Sequence, residues 1–197
     1  MKPVLWLFGL PSSGKTTLSR ALRDHLHAAG RPVVLLDGDD LRSGLCADLG
    51  FIDADRSENL RRAAHIAKLL CEQGHTLICA FVTPKEHHRD LVRQILGERV
   101  KFVHIDCPLE VCIRRDVKGL YAKAAASQMG DMTGSQDAFE APPTGMLTIT
   151  THPATIQAAF SQLVACSNSL LDHLPNTTSI RAPRPGESSN PAPRPGM

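Results

Sequence analysis

The chain has 197 residues, 42% of them hydrophobic, with a formal charge of only +2 from 22 basic and 20 acidic residues. That length and composition suit one domain with a real core, and the near balance of charge argues against a protein held to nucleic acid or a membrane surface by electrostatics. The six cysteines (Cys46, Cys71, Cys79, Cys107, Cys112 and Cys166) form no CxxC pair and have no partnered histidine spacing. They read as small buried apolar residues of a reducing compartment, not as zinc ligands or disulfides.

In chain order, residues 3–8 (PVLWLF) read as a buried strand and 15–29 as a helix that Gly30 ends. Residues 32–36 form a second strand running into an acidic turn, Asp37-Gly38-Asp39-Asp40, where Asp40 is suited to capping a helix. Asp55 is the expected cap of a long helix reaching about residue 73 and stopped by Gly74. A third strand over 75–82, a helix over 85–96, a fourth strand over 100–105 and a helix from 108 to 115 follow. His87-His88, the one adjacent histidine pair, reads as a solvated helix face.

The pattern breaks over 117–144, rich in Gly, Ala, Ser and Met, and a loop that long in a compact domain reads as a functional lid. A short fifth strand (146–150) and a closing helix (155–174) complete a kinase-sized domain over 1–174. Residues 175–197 repeat APRPG and read as a proline-rich disordered tail. Continuous apolar strands separated by helices predict an α/β fold: an open, mostly parallel five-stranded sheet with helices on both faces and a helical lid. The first apolar run is too short for a membrane span and no secretory signal is read, so a cytoplasmic protein is expected.

The most informative segment is Gly9-Leu10-Pro11-Ser12-Ser13-Gly14-Lys15-Thr16, which matches GxxxxGK[ST] between a strand and a helix. Glycines let backbone N–H groups converge on phosphate oxygens. Lys15 supplies a point charge to the β/γ oxygens and the Thr16 hydroxyl can hold Mg²⁺, while Thr17 follows in the opening turn. ATP and Mg²⁺ are the expected cofactors. A P-loop by itself does not separate kinases from GTPases or nucleotide-binding proteins, so the acceptor side decides.

There, Asp37 and Asp39 end the second strand, at the rim where α/β sheets bind ligands. Asp39 is placed to hold an attacking hydroxyl or take its proton, and to touch the metal's water shell together with Thr16. Arg56, Asn59 and Arg62 lie three residues apart, near one face of a helix start that could grip an anionic group.

Taken together, GLPSSGKTTL, LDGDDLRSGL, DLGF, DRSENLRR, FVTP, PLEVC and RDVKGLYAKA, in that order over roughly residues 3–174, resemble the adenylylsulfate kinase family of P-loop kinases. The resemblance implies an ATP site over residues 9–17 and an acceptor site that includes Asp37, Asp39, Arg42, Phe51, Arg56 and Asn59, with Phe51 stacking on the acceptor's base. Val82, Thr83, Leu120, Met132 and Thr133 complete that acceptor set, and Lys118 and Lys123 would stand in the lid near the transferring phosphates. Lys15, Asp39, Lys118 and Thr83 are the implied catalytic residues, Thr83 standing where the family has a strand-end serine that some members are thought to phosphorylate.

The implied reaction is ATP-dependent phosphorylation of the 3′-hydroxyl of adenylyl sulfate to give 3′-phosphoadenylyl sulfate, a step of sulfate activation. Departures cluster on the acceptor side. Asp40 replaces an asparagine, Lys85 a common aromatic residue, Met132 a base-stacking phenylalanine and Ala122 one of two tandem lysines. They leave room for a kinase of another activated nucleotide, such as a cytidine diphosphoramidate. A third reading is a non-catalytic nucleotide-binding protein whose tail recruits partners. The expected partner is a small nucleotide acceptor, with neither nucleic acid nor membrane. The family commonly dimerises, and exposed apolar helix faces would permit a homodimer.

Overall fold

The computed structural model describes residues 2–117, 119, 121 and 139–171. The expected tail and most of the expected lid, with Lys118, Leu120, Ala122, Lys123, Met132 and Thr133, lie outside the described residues.

The elements run β1 (Val4–Phe8), α1 (Lys15–Ala28), β2 (Val33–Asp37), α2 (Gly38–Arg42), α3 (Asp53–Glu72), β3 (Thr76–Ala80), α4 (Glu86–Leu96), a single 3₁₀ turn (Gly97–Arg99), β4 (Val100–Asp106), α5 (Leu109–Arg115), β5 (Thr148–Thr150) and α6 (Ile156–Leu171). The five strands make one parallel sheet in the order β2-β3-β1-β4-β5. β1 lies at its centre, pairing Leu5 with Ile78 on one side and with Lys101 on the other.

Because strand side chains alternate, β1 feeds two cores. Val4, Trp6 and Phe8 pack with Leu60, Ala63 and Ala67 of α3 and Val92 and Leu96 of α4. Leu5 and Leu7 pack on the opposite face with Leu18, Leu22 and Leu26 of α1 and Ala159 and Leu163 of α6. All five β1 residues are buried. Burying each large apolar side chain contributes about 1.5–3 kcal/mol, so the strand beneath the P-loop is the best-anchored element of the sheet. Among the described residues no helix is long and apolar enough to cross a membrane.

Four local expectations are corrected. The acidic turn is a short helix, α2, and its cap is Asp37 rather than Asp40: the Asp37 side chain accepts from the Asp39 N–H at 2.9 Å. β2 runs one residue further than its apolar pattern, which moves the capping position back onto Asp37. α3 starts at Asp53 with Ile52 before it, and Asp55 is no cap. Its carboxylate instead reaches back to accept the Gly50 N–H at 2.8 Å. Finally, His87-His88 is not a solvated face. His87 is exposed, but His88 is fully buried between α4 and the start of α3, because neighbouring helix positions lie about 100° apart and only one of the two can face outward.

Candidate active site

The P-loop leaves the end of β1 through Gly9, whose N–H donates to Val82 O at 3.2 Å. Its φ is +149°, and a Cβ there would stand 2.4 Å from Ile105 O, so only glycine lets β1, β3 and β4 close up beneath the loop. Ser12 takes a left-handed φ of 61°. Thr151 Oγ1 bonds Ser13 O at 2.9 Å, the Tyr121 hydroxyl donates to Pro11 O at 3.1 Å and Arg115 reaches Ser12 O and Thr151 O. The loop is therefore clamped from β5, α5 and the segment beyond it.

Lys15 is 8% exposed, and its ammonium donates to Gly9 O at 3.0 Å and Leu10 O at 2.6 Å. That holds a full positive charge inside the loop. Gly14 precedes α1 with φ 107°, and no side chain caps the helix start, which leaves that end suited to an anion.

Asp37 joins the donor and acceptor sides. It is buried, one carboxylate oxygen accepting from Thr16 Oγ1 at 2.8 Å and the other capping α2 through the Asp39 N–H. The carboxylate on Thr16 is thus Asp37, with Asp39 two residues further on, exposed, on the cavity wall. This donor set is all oxygen and includes a carboxylate, which fits a hard cation such as Mg²⁺.

On the acceptor side, Arg42 donates to Leu49 O and Gly50 O, and Arg56 Nε donates to Phe51 O at 2.7 Å. Both guanidinium groups lie near the Phe51 ring, at 4.5 and 5.6 Å from its centroid. Phe51 still exposes 42% of its surface, a flat apolar area available for stacking. Asn59 is 3% exposed and its Nδ2 has no hydrogen-bond partner among the described residues, so it is a buried donor on the cavity wall.

Arg62 does not belong to this face. It is engaged by Asp48 through two bonds of 2.7 and 2.8 Å, and by Glu58 and Leu45 O. The pair with Arg61 and Arg62 holds the Glu58 carboxyl down at about 2.

One continuous cavity of about 620 Å³ collects these groups. From the P-loop it takes Pro11, Ser12, Gly14, Lys15, Thr16 and Thr17; Gly9, Leu10 and Ser13 lie outside its lining. From the acceptor side it takes Asp37, Asp39, Arg42, Phe51, Arg56, Asn59, Val82 and Thr83. Its charged lining is Lys15, Arg20, Arg42, Arg56 and Arg115 against Asp37 and Asp39, a positive balance suited to two anionic nucleotides. Asp40 and Lys85 lie outside the lining.

Thr83 lines the cavity with a left-handed φ of 43°, but its Oγ1 accepts from the buried Trp6 Nε1 at 2.9 Å. Beside it, Arg89 is buried over the Phe8 ring and donates to Thr83 O, Pro84 O and Glu140 O. The Glu140 N–H also bonds Pro84 O, and Phe139 stacks on Phe8 and His104. The segment closing the expected lid is thus docked against the strand end that bears Thr83.

Sequence reasoning missed Arg20, Arg115, Tyr121 and Thr151. Arg115 and Tyr121 had a local signal, since both stand within the recognised RDVKGLYAKA stretch; Arg20 and Thr151 reach the cavity through the fold alone.

A family model described as adenylylsulphate kinase matches residues 1–150. An adenylyl-sulfate kinase of Paraburkholderia xenovorans (strain LB400) is 45% identical over 162 residues, covering 82% of this chain and 90% of the relative. One from Escherichia coli O1:K1 / APEC is 48% identical over 140 residues, covering 71% of this chain and 70% of the relative. Among solved structures, the Mycobacterium tuberculosis APS kinase in complex with AMPPNP and APS superposes with a TM-score of 0.76 at 37% identity, covering 84% of this chain and 98% of the other. With a P-loop, a parallel sheet and a basic two-sided cavity in place, the chain belongs to the adenylylsulphate kinase family.

Proposed function

We propose that this protein transfers the terminal phosphoryl group of ATP to the 3′-hydroxyl of adenylyl sulfate. The observation that carries the reading is the single cavity bounded by the P-loop on one side and by Asp39, Arg42, Phe51, Arg56 and Asn59 on the other. A phosphoryl donor and a planar anionic acceptor can meet there.

Phosphoryl transfer asks the protein mainly for positioning and charge neutralisation. Lys15 and the start of α1 face the donor phosphates. Thr16 and Asp37, with Asp39 nearby, are the residues to hold Mg²⁺, which when bound neutralises charge on the β- and γ-phosphates. Asp39 orients the acceptor hydroxyl and takes its proton. Phe51 stacks on the base, while Arg42, Arg56 and the Asn59 amide engage the anionic remainder. Thr83 acts as a positioning residue at the strand end. Lys118 and Lys123, with Leu120, Met132 and Thr133, lie outside the described residues; the family resemblance gives the two lysines the task of adding positive charge near the transferring phosphates.

The position of Asp40 and Lys85 outside the cavity lining favours adenylyl sulfate over another activated nucleotide. A coupled ADP-release assay tests the reading, with adenylyl sulfate and a panel of nucleoside diphosphate derivatives as acceptors. The expected result is the highest kcat/KM with adenylyl sulfate; absence of adenylyl-sulfate-dependent turnover overturns it.

The proposal takes residues 1–174 as the kinase unit and the cytoplasm as its place, in keeping with six unpaired cysteines of which five are buried. Burial pushes the Cys71 thiol up to about 11 and raises Cys79 as well, which keeps both inert. It also takes a homodimer as the assembly, since Leu69 on α3 and Ile113 on α5 are exposed; light scattering at assay concentration checks it.

A further inference from the structure

Lys85, one of the departures on the acceptor side, lies outside the cavity lining, yet its ammonium reaches Asp53 Oδ1 at 2.8 Å. The contact joins two stretches of chain that both line the acceptor part of the cavity. Asp53 opens α3 between Phe51 and Arg56, and Lys85 follows Thr83 and Pro84; these four neighbours are all in the lining.

Both ends of the pair are held in place. Lys85 has extended backbone, φ −111° and ψ 159°, directly before α4, and its N–H faces Nδ1 of the buried His88 at 3.4 Å. His88 Nε2 then carries the ring proton and faces Asp53 Oδ1 at 3.7 Å. His87 Nε2 lies 3.1 Å from the other Asp53 oxygen. The apolar packing between the two helices lies further along, where Leu60, Ala63 and Ala67 meet Val92 and Leu96. At the cavity end Phe51 and Ile52 are exposed, and polar contacts centred on Asp53 join the two stretches. The Lys85 ammonium holds the Asp53 carboxyl below its ordinary range, so the pair is charged at neutral pH.

We propose that Lys85 and Asp53 are a positioning pair that fixes the Phe51 side of the acceptor cavity against the strand end bearing Thr83, setting acceptor affinity without touching the acceptor. The inference rests on the kinase reading above. Without the tie, the first turn of α3 is free to shift, and with it the Phe51 ring and Arg56, whose Nε holds Phe51 O at 2.7 Å. An acceptor that is stacked and gripped at once is sensitive to a displacement of about 1 Å. The donor side is held separately, by Gly9, Thr151, Tyr121 and Arg115, so ATP binding is spared.

A direct field of the Lys85 charge on an anionic acceptor is the competing account, and Asp53 separates the two. Removing a negative charge strengthens binding of an anion if the field acts; it weakens binding if the pair acts as a tie.

The test is steady-state kinetics on the full-length protein with ATP and adenylyl sulfate, or with the best acceptor of the panel if adenylyl sulfate fails, so that an error in the substrate still leaves the pair decided. Lys85→Met and Asp53→Asn are each expected to raise KM for the acceptor about twofold to fivefold, the scale of one exposed ion pair, with kcat and KM for ATP unchanged. The double variant should be no worse than the poorer single, since either change removes the same tie. Lys85→Glu alone should be the weakest binder, and adding Asp53→Lys should restore it; Lys85→Arg should stay near wild type. Circular dichroism confirms that each variant is folded. An unchanged acceptor KM in both single variants, a fall in Asp53→Asn, additive effects in the double variant, or equal rises in KM for acceptor and ATP overturns the proposal. Absence of turnover with every acceptor overturns it together with the kinase reading.

Discussion

Replacing Thr83 with alanine tests whether its hydroxyl serves structure or chemistry. Oγ1 accepts from Trp6 Nε1 at 2.9 Å, and both residues are buried, at 1% and 0% exposure. Without Oγ1 the indole N–H has no acceptor in a core where Phe81 stacks on the same ring at 4.9 Å. An unsatisfied buried donor costs about 1–3 kcal/mol, and loss of the methyl about 0.8 kcal/mol more. Against this, a β-branched residue at φ 43° is strained, and alanine returns up to about 1 kcal/mol of that.

The unpaired N–H wins, and the net loss is about 1–3 kcal/mol. For a chain of this size that lowers Tm by roughly 3–10 °C. Thr83→Ser keeps the hydroxyl and should lose less than about 1 kcal/mol. In a double-mutant cycle with Trp6→Phe, the two losses should couple by about 1–2 kcal/mol.

Turnover discriminates. With the hydroxyl engaged by Trp6, Thr83→Ala assayed well below its transition should retain kcat within about tenfold. If Thr83 carried a covalent phosphate, kcat would fall by about 10³ or more, with Tm little changed. That outcome, or an unchanged Tm in Thr83→Ala, would refute the assignment.

Lys15→Ala should lower kcat by at least about 10²–10³, since it removes a positive charge held among the phosphate-binding groups; steady-state kinetics check it against intact folding. Phe51→Ala should raise KM for the acceptor by about tenfold and leave KM for ATP unchanged, and a change confined to ATP would mean that Phe51 lies on the donor side. Burial holds His104 below the ordinary imidazole range, Arg89 and Lys15 acting in the same sense and Asp106 against it. The folded state therefore binds fewer protons than the unfolded state below about pH 6.5, so the contribution is full above that pH and is lost as pH falls through it. His104→Phe, retaining the stack on Phe8 and Phe139, should flatten that part of the denaturation-versus-pH curve.

Local pattern predicted the elements well because each carries its own signal. Alternation in PVLWLF places Trp6 and Leu7 on opposite faces, and the P-loop needs only its eight residues to be recognised. What escaped is set by contacts distant in sequence. Arg62 has the same spacing as Arg56 and Asn59, yet Asp48, fourteen residues away, draws it off. Thr151 joins the site because parallel β5 returns beside β4 and puts its hydroxyl on Ser13 O. His88 is buried because α4 crosses the start of α3, which helical periodicity on α4 alone cannot report. On the acceptor side, the family resemblance supplied what spacing could not.

Asp37 ties these strands of argument together, since a single side chain performs two tasks that a substitution can separate. As cap of α2 it needs only an oxygen acceptor for the Asp39 N–H, which asparagine supplies as well as aspartate. As partner of Thr16 it offers a negatively charged oxygen beside the phosphate loop, which asparagine lacks. Asp37→Asn should therefore change stability by less than about 1 kcal/mol, because Thr16 Oγ1 can accept from the new amide. Turnover at saturating ATP should nonetheless fall about 10²-fold, and half-saturation by Mg²⁺ should move upward. A large drop in Tm with an unchanged Mg²⁺ profile would mean that the carboxylate serves only to start α2. The metal-side role would then pass to Asp39, two residues along the same cavity wall.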